Sequence, residues 1–227
     1  MNQPALASFS GGKDSMLAVH RARAAGLEVR WLLAMLEQSG QRLRSHGVPL
    51  ALVQAQADAL GIELVTAAAS WDDYEAVFVA QLQALAARGA QVAVFGDIDL
   101  QPHRDWEERV CARAGLRACL PLWGSDRRAL VDTFFAQGWR ARVVCVDSRW
   151  LDDRFCGREF DAAFVASLPP GVDACGENGE FHTFVYDGPA FSHPVAHHVS
   201  GCTPWTAPPR LGGLRYGFAT LEPGDAA

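Results

Sequence analysis

The chain has 227 residues, 49% of them hydrophobic and 20% charged, with a formal net charge of −6. That composition supports a buried core and excludes extended disorder. The acidic balance argues against a wide nucleic-acid surface, which needs clustered Lys and Arg, and the longest wholly apolar run, Trp31 to Leu36, is far short of the roughly 20 residues of a membrane span.

In chain order, Ala5 to Phe9 reads as a short buried strand and Asp14 to Ala25 as a helix stopped by Gly26. Val29 to Leu36 reads as a strand, Val48 to Leu60 as a helix before Gly61, and Ile62 to Ala68 as a third strand. Asp72 to Arg88 is a long helix closed by Gly89, and Val92 to Phe95 a fourth strand. Pro102 to Ala114 is a helix ended by Gly115. Short apolar strands alternating with helices predict an α/β fold, a Rossmann-like parallel sheet with helices on both faces. The second half is less regular. Ser125 to Ala136 reads as a helix, Arg142 to Val146 as a strand and Arg158 to Ser167 as a short helix before Pro169 and Pro170. Six of the twelve prolines follow Tyr186, so the tail reads as strands, turns and loops packed on the main body. The expected organisation is a nucleotide-binding part over 1–124 and a smaller α+β substrate-binding part over 125–227.

Six cysteines, Cys111, Cys119, Cys145, Cys156, Cys175 and Cys202, form no C-x-x-C pair. A zinc ribbon or thioredoxin-like site is therefore not expected, and free thiols in a reducing cytoplasm are. The first ten residues lack the basic and apolar regions of a signal peptide. The oligomeric state is open, and a homodimer is compatible with the sequence.

The strongest local signal is Ser10-Gly11-Gly12-Lys13-Asp14-Ser15, between the first strand and the first helix. A helix N-terminus offers free N–H groups and positive partial charge to an anion, and two glycines let the backbone curl around it. Lys13 can neutralise phosphate, Ser10 and Ser15 can donate hydroxyl hydrogen bonds, and Asp14 can cap the helix or help hold Mg²⁺. Lys13 is the only lysine against nineteen arginines, which points to a position needing a compact ammonium. A Walker A loop fails, because Ala7 stands where its first glycine would be and Asp14 follows the lysine. The dinucleotide G-x-G-x-x-G pattern also fails, and a plain Gly-Gly turn capping a helix would need fewer polar residues.

Asp97 follows the fourth strand on the same rim, where a carboxylate can hold Mg²⁺. Glu177, Asn178, Glu180, His182 and Thr183 belong to Cys175-Gly176-Glu177-Asn178-Gly179-Glu180-Phe181-His182-Thr183. Its turn can bring two carboxylates to one point, to hold an ammonium, coordinate a metal or accept a proton. Their alternatives are a solvated loop for the two glutamates, a turn residue for Asp97 and a buried histidine for His182. Arg104 and Trp106 are candidates for the pocket lining. His193, His197 and His198 form a further cluster, read as a surface loop rather than a zinc site.

The Ser10–Ser15 loop resembles that of the PP-loop ATP pyrophosphatases, which cut ATP between the α and β phosphates and adenylate a substrate oxygen. Together with Gly96-Asp97-Ile98, His103-Arg104, Pro121-Leu122-Trp123 and the Gly176–Thr183 stretch, it resembles the diphthine–ammonia ligase family of that superfamily, over about residues 5 to 191. The resemblance implies a fold of the adenine nucleotide alpha hydrolase type, ATP and Mg²⁺ as cofactors, and an amide-forming ligase with ammonia as nitrogen donor. It places ATP on Ser10, Gly11, Gly12, Lys13, Asp14 and Ser15, and Mg²⁺ on Asp14 and Asp97. Lys13, Asp14, Asp97, Glu177, Glu180 and His182 would carry the chemistry. Arg104, Glu177, Asn178, Glu180 and Thr183 would meet the acceptor, a small molecule or modified residue with a carboxylate. A tRNA-modifying PP-loop enzyme and a non-catalytic ATP- or AMP-binding protein are the alternatives.

Overall fold

The computed structural model describes residues 3–208 and 213–224, so the parts of the expected second unit at 209–212 and 225–227 lie outside the described residues. Five parallel strands form the first sheet: β1 (Gln3–Ser8), β2 (Leu27–Leu36), β3 (Glu63–Ala68), β4 (Val92–Val94) and β5 (Arg117–Cys119), in the order β3-β2-β1-β4-β5. The connecting helices are α1 (Lys13–Ala24), α2 (Leu50–Leu60), α3 (Tyr74–Ala87) and α4 (Gln101–Arg113). The strands alternate sides as a pleat requires. Ala5, Ala7, Leu32, Ala34, Val92 and Val94 join the core under α1 and α2, while Leu6, Trp31, Leu33, Ala93 and Phe95 join the core under α3 and α4. The expected Rossmann-like α/β architecture is what the chain adopts. Its order reverses between β1 and β4, which opens a crevice at their carboxyl ends.

The rest of the chain builds a second, antiparallel sheet. After α5 (Arg127–Ala136) come β6 (Arg140–Asp147), a 3₁₀ turn (Asp153–Phe155), α6 (Ala162–Ala166), β7 (Phe181–Asp187), β8 (His197–Thr206) and β9 (Arg215–Pro223), with strand order β7-β6-β9-β8. The core under α1 and α2 continues into this sheet through Val143, Phe181, Phe184 and Ala219. Several elements differ from expectation, β7 among them, which was not expected as a strand. The helix expected over Arg158–Ser167 is cut to five residues, because Phe160 N–H donates to Ala141 C=O at 2.8 Å and Glu159 bridges to Arg142, which draws the segment onto β6. The three-residue β5 was not expected at all; pairing to β4 makes it a strand.

β7 is laced directly to the loop that precedes α1. Val185 N–H donates to Gly11 C=O at 2.9 Å, and Lys13 N–H donates to Thr183 Oγ1 at 3.0 Å. The fully buried Gln56 of α2 completes the seam, its Nε2 donating to Gly11 C=O at 2.9 Å and to Val185 C=O at 2.6 Å.

The segment just after β4 approaches the same loop so closely that a Cβ on Gly96 would lie 2.9 Å from both the Asp14 carbonyl carbon and the Ser15 nitrogen. Those are backbone atoms and cannot swing away. Gly96→Ala should therefore cost about 1–3 kcal/mol of stability, as overpacking does. Gly201→Ala, where nothing lies within 4 Å, should stay within about 0.5 kcal/mol of the parent. Urea unfolding of both variants measures this, and equal effects would contradict the packing account.

Candidate active site

The end of β1, the N-terminus of α1, the loop after β4 and the turn before β7 enclose a cleft of about 480 Å³. Of the residues singled out in the sequence, Ser10, Lys13, Asp14, Ser15, Asp97, Glu177, Asn178, His182 and Thr183 all line it. The phosphate-type loop is internally braced: Ser10 Oγ donates to Ser15 Oγ at 3.2 Å and Ser15 Oγ to Gly12 C=O at 3.0 Å. Helix geometry leaves the Asp14 and Ser15 N–H groups without an intrahelical acceptor. Asp14 does not cap α1. The cap is Gly12, which has no side chain, and Asp14 instead meets Lys13 Nζ at 2.7 Å.

Lys13 is buried, with 4% of its surface exposed. Burial alone would lower its pKa, but Asp14, Cys175 and Glu177 outweigh it and raise the value above normal, so the ammonium stays charged. The carboxylates crowd one another. Burial, then Asp14 and Asp97, push Glu177 up to about 7. Glu107, which the sequence reading passed over, is 3% exposed and is pushed up to about 10 by burial and by Asp97. It therefore keeps its proton at neutral pH beside Asp97, and its Oε2 is buried with no hydrogen-bond partner among the described residues. Asp97 also meets His103 Nδ1 at 2.7 Å. Cys175 Sγ lies 3.9 Å from Asp14 Oδ1, and burial pushes its thiol up to about 12, so it is no nucleophile.

Three expected residues lie elsewhere. Glu180 is fully buried and faces away from the cleft, accepting bonds from the N–H groups of Asp173 (3.2 Å) and Asn178 (3.0 Å) and from Asn178 Nδ2 (3.0 Å). It shapes the turn that presents Glu177. Arg104 pairs with Glu108 at 2.8 Å and stacks on Trp123, outside the cleft lining. Trp106 packs between α3 and α4 and donates to Glu75. His193, His197 and His198 bond separately to Ser192, Val195 and Glu222.

Two further residues enter that the sequence did not mark. Arg127 binds Asp99 (2.6 Å), Asp173 (2.7 Å) and Asn178 (3.1 Å), clamping the Glu177 turn to the loop after β4. His46 stacks on His182 with ring centroids 4.5 Å apart, and its Nε2 would be 2.8 Å from a Cβ at Gly12. Its signal was available, since it follows β2 on the rim where ligands of parallel sheets bind. Both rings are held neutral. Burial, then Lys13, lower His182 to about 4, and burial, then His182, lower His46 well below normal.

His182 carries no penalty above its free value of 6.5, and destabilises the fold as pH falls toward 4, because the unfolded chain takes the proton first. Glu177 works the other way. It carries no penalty below 4.5 and destabilises as pH rises toward about 7. The two oppose each other over one window, so a difference measurement is needed to isolate either. Between pH 7 and pH 5 the parent protein should lose about 1–2 kcal/mol more than His182→Gln. Urea unfolding at the two pH values checks this, and equal losses would show that the ring titrates normally.

The family model described as the diphthamide synthase N-terminal domain matches residues 3–118, and that of the diphthamide synthase C-terminal domain matches residues 126–205. The chain is 32% identical to a diphthine–ammonia ligase of Danio rerio over 93 residues, covering 39% of this chain and 36% of that protein. It is 30% identical to the Homo sapiens diphthine–ammonia ligase over 93 residues, covering 39% and 35%. The chain thus spans about a third of the length of these curated relatives. A solved structure described as a predicted subunit of tRNA methyltransferase from Methanocaldococcus jannaschii is similar at a TM-score of 0.43 and 16% identity, over 63% of this chain and 80% of that one. With both halves of the chain matched in order, it belongs to the diphthamide synthase family.

Proposed function

We propose that the chain is an ATP-dependent ligase that adenylates a carboxylate and then forms an amide, releasing AMP and pyrophosphate. One observation carries this reading: a buried ammonium and a glycine-rich helix N-terminus face the same cleft as a carboxyl that titrates near 7. The first two suit the phosphates of ATP. The third suits proton transfer at neutral pH.

In the first half-reaction an acceptor carboxylate oxygen attacks the α-phosphorus, and the bond to the β-phosphate bridging oxygen breaks. The electron pair leaves with pyrophosphate. Lys13 and the free N–H groups of α1 offset the charge that develops there. In the second, the nitrogen of ammonia attacks the acyl carbon and the bond to AMP breaks. Glu177 accepts the proton that nitrogen sheds. Neutral His182 and His46 supply ring nitrogens beside the loop without adding positive charge.

Mg²⁺ fits the residues present. The cleft lining gathers Asp14, Asp97 and Glu177 against the single ammonium of Lys13, a set of hard oxygen donors. Asp14 and Asp97 would hold the ion, which needs only one or two carboxylates when phosphates and water complete its shell. It would supply charge neutralisation on the phosphates. The division at residue 124 remains our proposal for the functional parts, with ATP held by the first sheet and the acceptor met by the second.

Lys13→Ala removes a charge-assisted contact of about 1.5–3 kcal/mol, so ATP affinity should fall roughly tenfold to a hundredfold. Calorimetry with Mg·ATP measures this, and unchanged affinity would remove the loop from the nucleotide site. Chromatography of labelled ATP after turnover should show AMP and pyrophosphate, and ADP as the main product would refute the reaction class. Glu177→Gln keeps the shape but loses the proton acceptor. Amide formation should drop about a hundredfold or more with ATP affinity little changed. A variant that loses ATP binding instead would place Glu177 in the nucleotide site.

A further inference from the structure

The turn that carries Glu177 fixes its own shape but not its place. Within it, Glu180 takes the N–H groups of Asp173 and Asn178, and Asp173 takes those of Cys175 (2.9 Å) and Glu177 (3.3 Å). The charged side chains of this turn, Asp173, Glu177 and Glu180, are all acidic. Among the described residues, the cation hydrogen-bonded to it is Arg127.

Arg127 is itself placed by local rules. It is the first residue of α5, and Asp126 just before it caps the helix, its Oδ1 accepting the Ala129 N–H at 2.8 Å. From there the guanidinium reaches two elements at once. Nε and Nη2 fork onto the two oxygens of Asp99 at 2.7 and 2.6 Å, while Nη1 reaches Asp173 Oδ2 at 2.7 Å and Asn178 Oδ1 at 3.1 Å. Asp99 lies in the loop after β4, next to the fully buried Ile98. Ile98 gives its N–H to the Glu177 carboxylate, and its C=O takes the Gly124 N–H at 2.8 Å. One guanidinium thus grips both the turn that carries Glu177 and the loop whose N–H meets the Glu177 carboxylate.

Exposed ion pairs contribute little, because solvent screens them and two mobile side chains must be ordered. This network differs from them. The side chains of Arg127 and Asp173 are 25% and 16% exposed, and the fork onto Asp99 fixes the guanidinium plane. A lysine, with its point charge, could not hold both carboxylates in this geometry.

We propose that Arg127 is a positioning residue for the amide-forming step: by tying the turn to the loop after β4, it holds the Glu177 carboxylate at the place where the attacking nitrogen sheds its proton. Arg127 does not line the cleft, so it acts through Glu177 and not on the nucleotide. The role in the reaction rests on the ligase reading above, whereas the tie between turn and loop does not.

Two measurements on the full chain separate the tie from the chemistry. Hydrogen exchange followed by mass spectrometry reads the tie. In Arg127→Gln the amides of the Asp173–Glu180 turn should exchange about tenfold faster or more, while those of β1 and α1 keep their parental rates. Arg127→Lys should recover only part of the protection. Asp99→Asn loosens the same tie from the other end, and gives the test should Arg127→Gln not fold. Release of labelled AMP from Mg·ATP, with ammonium chloride and a clarified cell extract as the source of acceptor, reads the chemistry. Arg127→Gln should turn over about tenfold more slowly or worse at saturating ATP, with the half-saturating ATP concentration within about threefold of the parent. Added to Glu177→Gln, the same substitution should cost nothing further, because a residue that acts through another has no effect once that one is gone. Full additivity of the two losses would overturn the proposal. So would exchange that rises throughout the chain in both Arg127→Gln and Asp99→Asn. Faster exchange at the turn alone, with no AMP from the parent, would leave the tie standing and remove the ligase reading together with the role in it. Slower AMP release with exchange at the turn unchanged would keep the ligase reading and remove the positioning role.

Discussion

The site depends on a seam between distant parts of the chain. The carbonyl of Gly11 accepts from both Val185 N–H and Gln56 Nε2, and the N–H of Lys13 is taken up by Thr183 Oγ1. These bonds are buried, where an unmet backbone group costs far more than an exposed one. They fix the loop before α1 against a strand of the other sheet. The loop is therefore already shaped for an anion, and that is the condition under which hydrogen-bond donors contribute most to charge stabilisation.

Electrostatics follows from that placement. Burial, and then the crowding of Asp14, Asp97 and Glu177 in the cleft with Glu107 behind Asp97, keeps protons on Glu107 and on part of the Glu177 population. On the other side of Lys13, the two stacked histidines surrender their charge. Protonation is thus distributed so that a single permanent cation faces the loop, flanked by groups whose charge is adjustable.

The α/β half was legible because its strands are short apolar runs and its helices end at Gly26, Gly61, Gly89 and Gly115, signals written within a dozen residues. The antiparallel half was not. β8 is exposed along most of its length and shows no clean alternation, so its strand character comes from pairing with β9. In the site, the Ser10–Ser15 loop, Asp97, Glu177 and His182 were readable as polar residues at strand ends and turns. Glu180 was misread because proximity in sequence to Glu177 says nothing about which of two side chains turns inward. Gln56, Glu107 and Arg127 were silent because each acts on partners brought close only by the fold, such as Val185 for Gln56 and Asp173 for Arg127.

The seam also sets when the site comes into being during synthesis. Gly11 and Val185 are bonded to each other yet lie near opposite ends of the chain. As the polypeptide emerges from the ribosome, the five parallel strands and the glycine-rich loop are all available before Thr183 and Val185 have been made. Until then the loop lacks the donor and acceptors that fix its shape, and closing so long a stretch is among the slower events of folding. The cleft is thus a late product of folding, assembled when β7 arrives, and the nascent parallel sheet carries the motif before it carries the site.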